Sequence, residues 1–579
     1  MSDPRTSLEP RFEAALRAAF GEELAKTDPV LRRSDRADFQ ADVAMALAKK
    51  VGKPPREVAK ALIDQLDVSG ICEKVEIAGP GFINLTLSPD WLAREVGLVA
   101  LDPKVGVVPA AHPETVVVDY SAPNVAKEMH VGHVRSTVLG DSLARVLEAL
   151  GHRVVRQNHV GDWGTPFGML IEHLLDLGEE AALATSITDL DVFYKQARGK
   201  FDEDPAFAER SRQRVVLLQS GDRQTLTLWK RFTDASKRYF GAVYEKLGIT
   251  LRDEHIVGES FYNTMLPEIV TELEKKGLTE MSDGAVCAFP EGFTNKDGER
   301  LPLIVRKKDG GFGYAATDLA AIRTRTQTLG ATRILYVVGA PQQQHFAMVF
   351  AVAKSAGWLA EPARAEHVAF GSILGPDKKM FKTRAGGTIK LAELVDEAVQ
   401  RAAAEVEKKN ADLPAATRAV VARQVGIGAI KYVDLSSDRI KDYVFDWDRM
   451  LAFEGNTAPY CQYVHARIRS IFRKAQAADV TASSSADVVL REPAERALGL
   501  ELLGLGGAVA SVADTLHPHK LCTYLFATAS RFNTFYDQCP VLKADDPAIR
   551  HSRLALAALT ARILATGLDL LGIEAPEEM

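Results

Sequence analysis

The stretch VVVDYSAPNVAKEMHVGHVRSTVLGDSLARVLEALGHRVVRQ, residues 116–157, decides the fold. It opens on Val116–Val118, an apolar run too uniform for a strand with one wet face. Such runs belong to parallel sheets covered on both sides. A Pro123-Asn124 turn follows, then a helical segment from about His130, then a second apolar strand, RVVRQ. Strand, helix and strand in this order make one unit of a doubly wound α/β domain. In these sheets ligands collect at the carboxyl ends of the strands, where helix N-termini offer free N–H groups and a partial positive charge suited to phosphate. His130 and His133 are three residues apart and are expected to share one helical face. Their ring N–H groups would meet phosphate oxygens as charge moves onto a leaving pyrophosphate. Gly132 between them would let a flat base lie against the backbone. Two other readings fit the same four residues. They could be a metal pair, although no third ligand of the H-E-x-x-H kind is nearby, or incidental surface histidines. A G-x-G-x-x-G fingerprint is absent from the turn, which weakens a dehydrogenase reading.

The chain has 579 residues, too many for one core, so several domains are expected. Its composition, 46% hydrophobic and 26% charged, is that of an ordinary soluble globular protein. A net charge of −6 disfavours a dedicated nucleic-acid binder but leaves room for an RNA enzyme with local basic patches. The N-terminus lacks the basic patch and apolar run of a secretory signal. The five cysteines form no C-x-x-C pair. That speaks against a zinc site or disulfide framework and fits a reducing cytoplasm. LGLELLGLGGAVASVADTL, with Glu501 and several glycines, reads as a bundle helix and not a membrane span. A Pro- and Gly-bearing stretch, LDPKVGVVPAAHPE, reads as a linker. The expected map is an N-terminal α+β module over 1–108 and a Rossmann-like catalytic domain over 109–395. That domain carries an insertion at about 179–300. A connecting helical region over 396–450 and a helical bundle over 451–579 follow. The polar AADVTASSSADV inside the bundle reads as a loop.

The region from Val118 to Ile171, with HVGH at 130–133, closely resembles the arginyl-tRNA synthetases, which are class I aminoacyl-tRNA synthetases with a HIGH signature. The lysines and threonine of Lys379-Met380-Phe381-Lys382-Thr383 match the family's second signature, KMSKS, while Phe381 stands at its serine. GFGYAATDLAAIRTR, YVVGAPQQQHF, FEGNTAPYCQYVHARIRSI and the C-terminal segment continue the likeness in order. The resemblance implies an arginine–tRNA ligase that makes arginyl-adenylate from arginine and ATP with Mg²⁺, then esterifies the 2′-hydroxyl of the terminal adenosine of tRNA(Arg). It implies a need for bound tRNA in the first step, a monomer, and no zinc or membrane partner. His130, His133, Lys382 and Lys127 fall to the phosphate charge, with Gly132, Lys379, Met380 and Phe381 completing the ATP side. Tyr314 and Asp318, four apart on one helix face, match the family's guanidinium-binding pair; a carboxylate suits that planar fork. Asp119 is a second acid near the pocket, and Asn124 and Gln342 fall to the amino and carboxylate end. Ala122 replaces a serine common in the family, so any contact there comes from backbone. For the RNA, the resemblance points to Phe39 and Gln40 in the N-terminal module, at the tRNA elbow, and to the helical bundle as the anticodon-binding domain. Within that bundle His465, Arg467 and Arg469 offer a basic helix face, and Tyr524, Phe532, Phe535 and Tyr536 offer stacking surfaces. Two further readings stand beside this one: a HIGH-type nucleotidyltransferase for a small molecule, and a synthetase-like RNA-binding module without catalysis.

Overall fold

The computed structural model describes residues 3–178, 190–381, 389–477 and 488–579. The N-terminal module comprises α1 (Pro4–Phe20), β1 (Leu31–Arg33), β2 (Phe39–Ala41), α2 (Val43–Val51), α3 (Pro55–Ile63), β3 (Cys72–Ala78), β4 (Phe82–Leu87) and α4 (Pro89–Leu101). Its strands form an antiparallel sheet in the order β1-β2-β4-β3. Local signals set the helix limits. Asp3 caps α1 by accepting the Arg5 N–H, Gly52 ends α2 in the left-handed conformation, and Ser88 with Pro89 starts α4.

The catalytic sheet is β11 (Arg364–His367), β10 (Arg333–Tyr336), β5 (Thr115–Asp119) and β6 (Arg153–Gln157), in that order and parallel throughout. Helix α5 (Gly132–Ala149) connects β5 to β6, and α12 (Gln343–Ser355) connects β10 to β11. Successive residues of β5 face opposite sides: Val116 and Val118 join one core and Val117 another. The uniform valine run is thus explained by two covered faces. Strand order reverses between β5 and β10, so their carboxyl ends flank a crevice.

Between β6 and β10 the chain forms α6 (Thr165–Leu177), α7 (Leu190–Glu203), α8 (Pro205–Ser220), α9 (Arg223–Leu247) and α10 (Leu266–Lys275). The antiparallel strands β7 (Thr279–Ser282), β8 (Ala285–Ala288) and β9 (Leu303–Arg306) follow, then α11 (Tyr314–Gln327). After β11, the short strands β12 (Ile373–Leu374) and β13 (Tyr443–Val444) pair in parallel around α13 (Leu391–Lys409) and α14 (Ala415–Leu435). The bundle is completed by α15 (Ala458–Ala477), α16 (Pro493–Leu502), α17 (Leu505–Thr515), α18 (His519–Gln538) and α19 (Pro547–Leu570). Residues 493–515 are long and apolar enough to cross a membrane by composition, contrary to the expectation that they are too short and polar. They nevertheless form two helices, α16 and α17, packed against α18 in the bundle. Most of the AADVTASSSADV stretch lies outside the described residues.

Buried charge joins the bundle to the sheet. Arg135 of α5 meets Asp434 of α14 at 3.2 Å, both nearly inaccessible. Lys431 donates to the Gly572 and Gly248 carbonyls at 2.6 and 3.2 Å. Burial lowers its pKa to about 8 against the opposing pull of Asp141.

Candidate active site

The turn after β5 holds three non-glycine residues in the left-handed region, Ser121 (φ 72°), Ala122 (φ 44°) and Ala126 (φ 62°). Such residues cost on the order of 1–3 kcal/mol each and persist only where surroundings fix them. Here the Ser121 N–H donates to Ser136 Oγ (2.9 Å), the Ala122 N–H to Asn158 Oδ1 (2.9 Å) and the Ala126 N–H to Ser236 Oγ (3.0 Å). Asn124 bridges to Gly161, where a Cβ would run into Asn124 Oδ1, so that glycine permits the asparagine's position.

The histidines meet, but not as expected. Helix α5 begins at Gly132 with Val131 as its cap, so His130 lies before the helix and the pair does not share a helical face. Their rings lie 4.0 Å apart because each folds back on the helix start. His133 Nδ1 accepts the His130 N–H and His130 Nδ1 accepts the Gly132 N–H, both at 3.1 Å. A Cβ on Gly132 would stand 2.8 Å from His130 Cε1, so glycine here makes room for the imidazole itself. Burial and the neighbouring His130 bring the His133 pKa down to about 4, and burial and Lys127 lower that of His130. Both rings are therefore neutral, with Nδ1 accepting from backbone, and each presents an Nε2–H.

The chain beyond the second signature meets the first at residues 389–390: His130 bridges to Lys390, the Val131 N–H donates to Ile389 O at 2.9 Å, and Lys390 meets Glu128 at 2.6 Å. Upstream, the Gly375 N–H donates to Lys379 O at 2.8 Å, closing a turn with Lys378 left-handed. Lys379 and Met380 are exposed. Phe381 stacks on Phe445 at 4.7 Å, which in turn meets Trp447 edge-on at 4.9 Å. The residue at the family's serine position is thus an apolar anchor for the loop. Lys382 lies outside the described residues.

A cleft of about 790 Å³ opens beside the turn, lined by Asn124, Lys127, Trp163, Glu259, Tyr314 and Thr317 among others. The Lys127 ammonium lies over the Tyr194 ring at 4.3 Å. Tyr314 opens α11 and is 76% exposed, while Asp318, a turn further on, is mostly covered and held by His345 Nε2 at 2.6 Å. Glu259 is the acid the sequence did not reveal. Burial, with the charges of Asp162 and Asp318, raises its pKa to about 8. Glu259 itself is half-buried and lines the cleft.

Several expected contacts are otherwise engaged. Asp119 is not a free pocket acid: its Oδ2 accepts from the fully buried Arg325 at 2.7 Å, whose Nε donates to Gln157 Oε1 at 2.6 Å. An internal guanidinium already neutralises this strand end. Gln342 is exposed on the 3₁₀ turn after β10 and is not among the residues lining the cleft. Phe39 and Gln40 are 3% and 8% exposed. Phe39 lies under Arg33, and Gln40 bonds Asn84 and Arg32 at 2.8 and 2.9 Å, so neither presents a surface to RNA. The His465-Arg469 face is covered by the chain's own end: His465 Nδ1 lies 2.9 Å from Pro576 O, and Arg469 meets Glu577 at 2.6 Å. Arg467 points elsewhere, to Asn533 at 3.1 Å and over Tyr536 at 4.7 Å. Tyr524, Phe532 and Phe535 are buried, and Tyr536 is half-buried.

Among the described residues Asp438, His517 and His519 are close enough for a metal ion. However, Arg439, Lys441 and Lys520 act on these histidines as neighbouring positive charges. That field opposes a divalent cation, and no ion is assigned there.

Two neutral histidines at a helix start, a lysine-bearing loop paired beside them and a Rossmann-like crevice define a class I aminoacyl-tRNA synthetase. The family description "tRNA synthetases class I (R), catalytic domain" fits residues 98–447. "Arginyl tRNA synthetase N terminal domain" fits 6–87, and "DALR anticodon binding domain" fits 461–579. The chain is 56% identical over 584 residues to the arginine–tRNA ligase of Thermobifida fusca and 49% identical over 590 to that of Synechococcus elongatus, covering 100% of each chain in both cases. Arginyl-tRNA synthetase structures from Plasmodium falciparum and Thermus thermophilus superpose with TM-scores of 0.84 and 0.82, each at 28% identity. They cover 100% and 99% of this chain and 100% of their own. The chain belongs to the arginyl-tRNA synthetases.

Proposed function

We propose that the chain attaches arginine to tRNA(Arg) in two steps at the crevice between β5 and β10. In the first, the arginine carboxylate attacks the α-phosphorus of Mg·ATP; a new P–O bond forms and pyrophosphate leaves. In the second, the 2′-hydroxyl of the terminal adenosine attacks the adenylate carbonyl and AMP leaves. Mg²⁺ enters with the nucleotide as part of the substrate. No covalent enzyme intermediate is involved, so the protein's work is positioning and charge stabilisation. His130 and His133 donate their Nε2–H groups to phosphate oxygens, joined by Lys127 and by Lys382 from the loop. Gly132, Lys379, Met380 and Phe381 complete the nucleotide side. Tyr314, Asp318 and Glu259 receive the guanidinium, and Asn124 and Gln342 take the amino and carboxylate end. The bundle holds the anticodon arm, with Arg467 and Tyr536 as its stacking and charge contacts, and the N-terminal module reaches the tRNA elbow. The enzyme works as a cytoplasmic monomer.

The observation that carries this reading is a cleft lined by Asn124, Lys127, Glu259 and Tyr314 beside the turn that leads into the two paired histidines. Arginine-dependent exchange of labelled pyrophosphate into ATP tests it. Exchange is expected with arginine and not with lysine, and only when cognate tRNA is present. Exchange without tRNA would remove the activation by RNA, and no exchange in folded protein would leave an RNA-binding module.

A further inference from the structure

Helix α9 belongs to the segment between β6 and β10, outside the catalytic sheet, yet its buried face is not wholly apolar. Leu228, Phe232, Phe240, Val243 and Leu247 pack into the core, and Ser236 and Tyr244, at 1% and 2% exposure, are buried among them. Trp229, Ser236 and Tyr244 are seven and eight residues apart, which places them on one helix face. Each grips the active-site loops. Trp229 Nε1–H donates to Asp162 O at 2.7 Å. Ser236 Oγ accepts the Ala126 N–H at 3.0 Å while donating to Phe232 O at 2.9 Å. The Tyr244 hydroxyl bonds Ser121 Oγ at 2.7 Å and accepts from Asn158 Nδ2 at 2.9 Å, and that asparagine's Oδ1 accepts the Ala122 N–H. The three left-handed residues of the turn, Ser121, Ala122 and Ala126, are therefore each tied to α9 directly or through one side chain. Thr233, one turn before, bonds only its own helix at Trp229 O (3.0 Å), whereas Ser236 adds to the same kind of bond an acceptor for the turn, and the Tyr244 hydroxyl meets Ser121 and Asn158 across the interface.

We infer that Ser236 and Tyr244 are positioning residues for adenylate formation: they hold the turn in its left-handed form, so that Asn124, Lys127 and His130 meet substrate in one arrangement. This rests on the reading of the turn as the adenylation site. The test uses the full chain with Ser236→Ala, Tyr244→Phe and their combination, and Thr233→Val as a control on the same helix. Pyrophosphate exchange is followed with saturating tRNA, alongside melting temperature. Each of the two single variants is expected to lower kcat about tenfold, with KM for arginine and ATP within about twofold and melting within a few degrees of the parent. The combination should lose less than the product of the two, because a turn already released has less to lose. Thr233→Val should match the parent. If Tyr244→Phe does not fold, Ser236→Ala alone decides. Parent-level kcat in the two variants, or an equal loss in Thr233→Val, would overturn the inference while leaving the function intact. A parent protein with no arginine-dependent exchange would overturn both.

Discussion

Glu259 gives the sharpest consequence of the site's electrostatics. Its carboxyl is raised to about 8 because it is buried and because Asp162 and Asp318 already carry charge nearby. In the free enzyme at about pH 7 it is thus about nine-tenths protonated. A guanidinium entering between Tyr314 and Asp318 favours the ionised form, and an opposite charge in contact lowers a carboxyl by about 1–3 units. Arginine binding at about pH 7 is then expected to release about 0.8 of a proton. The sign follows from the shift: the acid is raised, the ionised form binds the cation, so affinity tightens as pH climbs through about 8. Between about pH 7 and 8.5 the gain is roughly eightfold, or about 1.2 kcal/mol. Isothermal titration with arginine in buffers of different ionisation enthalpy measures the proton directly. Glu259→Gln, which keeps shape and removes the titration, should bind arginine more weakly with little proton release and a flatter pH dependence. A parent protein that releases no proton, or a Glu259→Gln variant that releases as much, would refute the reasoning.

His133, brought down to about 4 by burial and the neighbouring His130, is predicted to hold its neutral Nε2–H tautomer at pH 6 to 8, visible in ring nitrogen NMR shifts. Replacing either His130 or His133 by alanine should lower exchange kcat on the order of 10²-fold with KM for arginine nearly unchanged. Asp119→Asn leaves Arg325, fully buried, without its counter-charge. A stability loss of about 3–5 kcal/mol is expected from chemical denaturation, with no selective effect on arginine KM in the fraction that folds. Phe381→Ser restores the family residue but removes the stack on Phe445. Its expected result is a several-fold higher KM for ATP with unchanged melting, read in exchange kinetics.

What was legible in the sequence divides along a physical line. Val116–Val118 showed a strand covered on both faces because burial on two sides leaves no room for alternation, and β5 has that environment. HVGH showed two histidines brought together at a helix start because the pattern is local to four residues, although the rings come together by accepting backbone N–H groups and not by helical spacing. Residues whose meaning depends on distant partners were misread or missed. Asp119 looked like a ligand because nothing near it in sequence shows that Arg325 will neutralise it. His465 and Arg469 looked like an RNA face because the Pro576-Glu577 segment that buries the one and pairs with the other is remote along the chain. Phe39 and Gln40 were assigned to the tRNA elbow by resemblance alone, and they lie within β2, whose three residues are all buried. Glu259 and α9 gave no signal at all, since an acid in GESFYN and hydroxyls within an amphipathic helix acquire their roles only when the insertion folds onto the turn. The pattern has a cause. The histidines proposed to touch phosphate sit at a helix start beside the strand that positions them, so they are contiguous in sequence. The groups proposed to select the side chain, Tyr314, Asp318 and Glu259, come instead from α11 and from the segment between β6 and β10. On the proposed reading, specificity depends on how that segment docks on the β5 turn, and the left-handed residues of the turn are where the two are hydrogen-bonded.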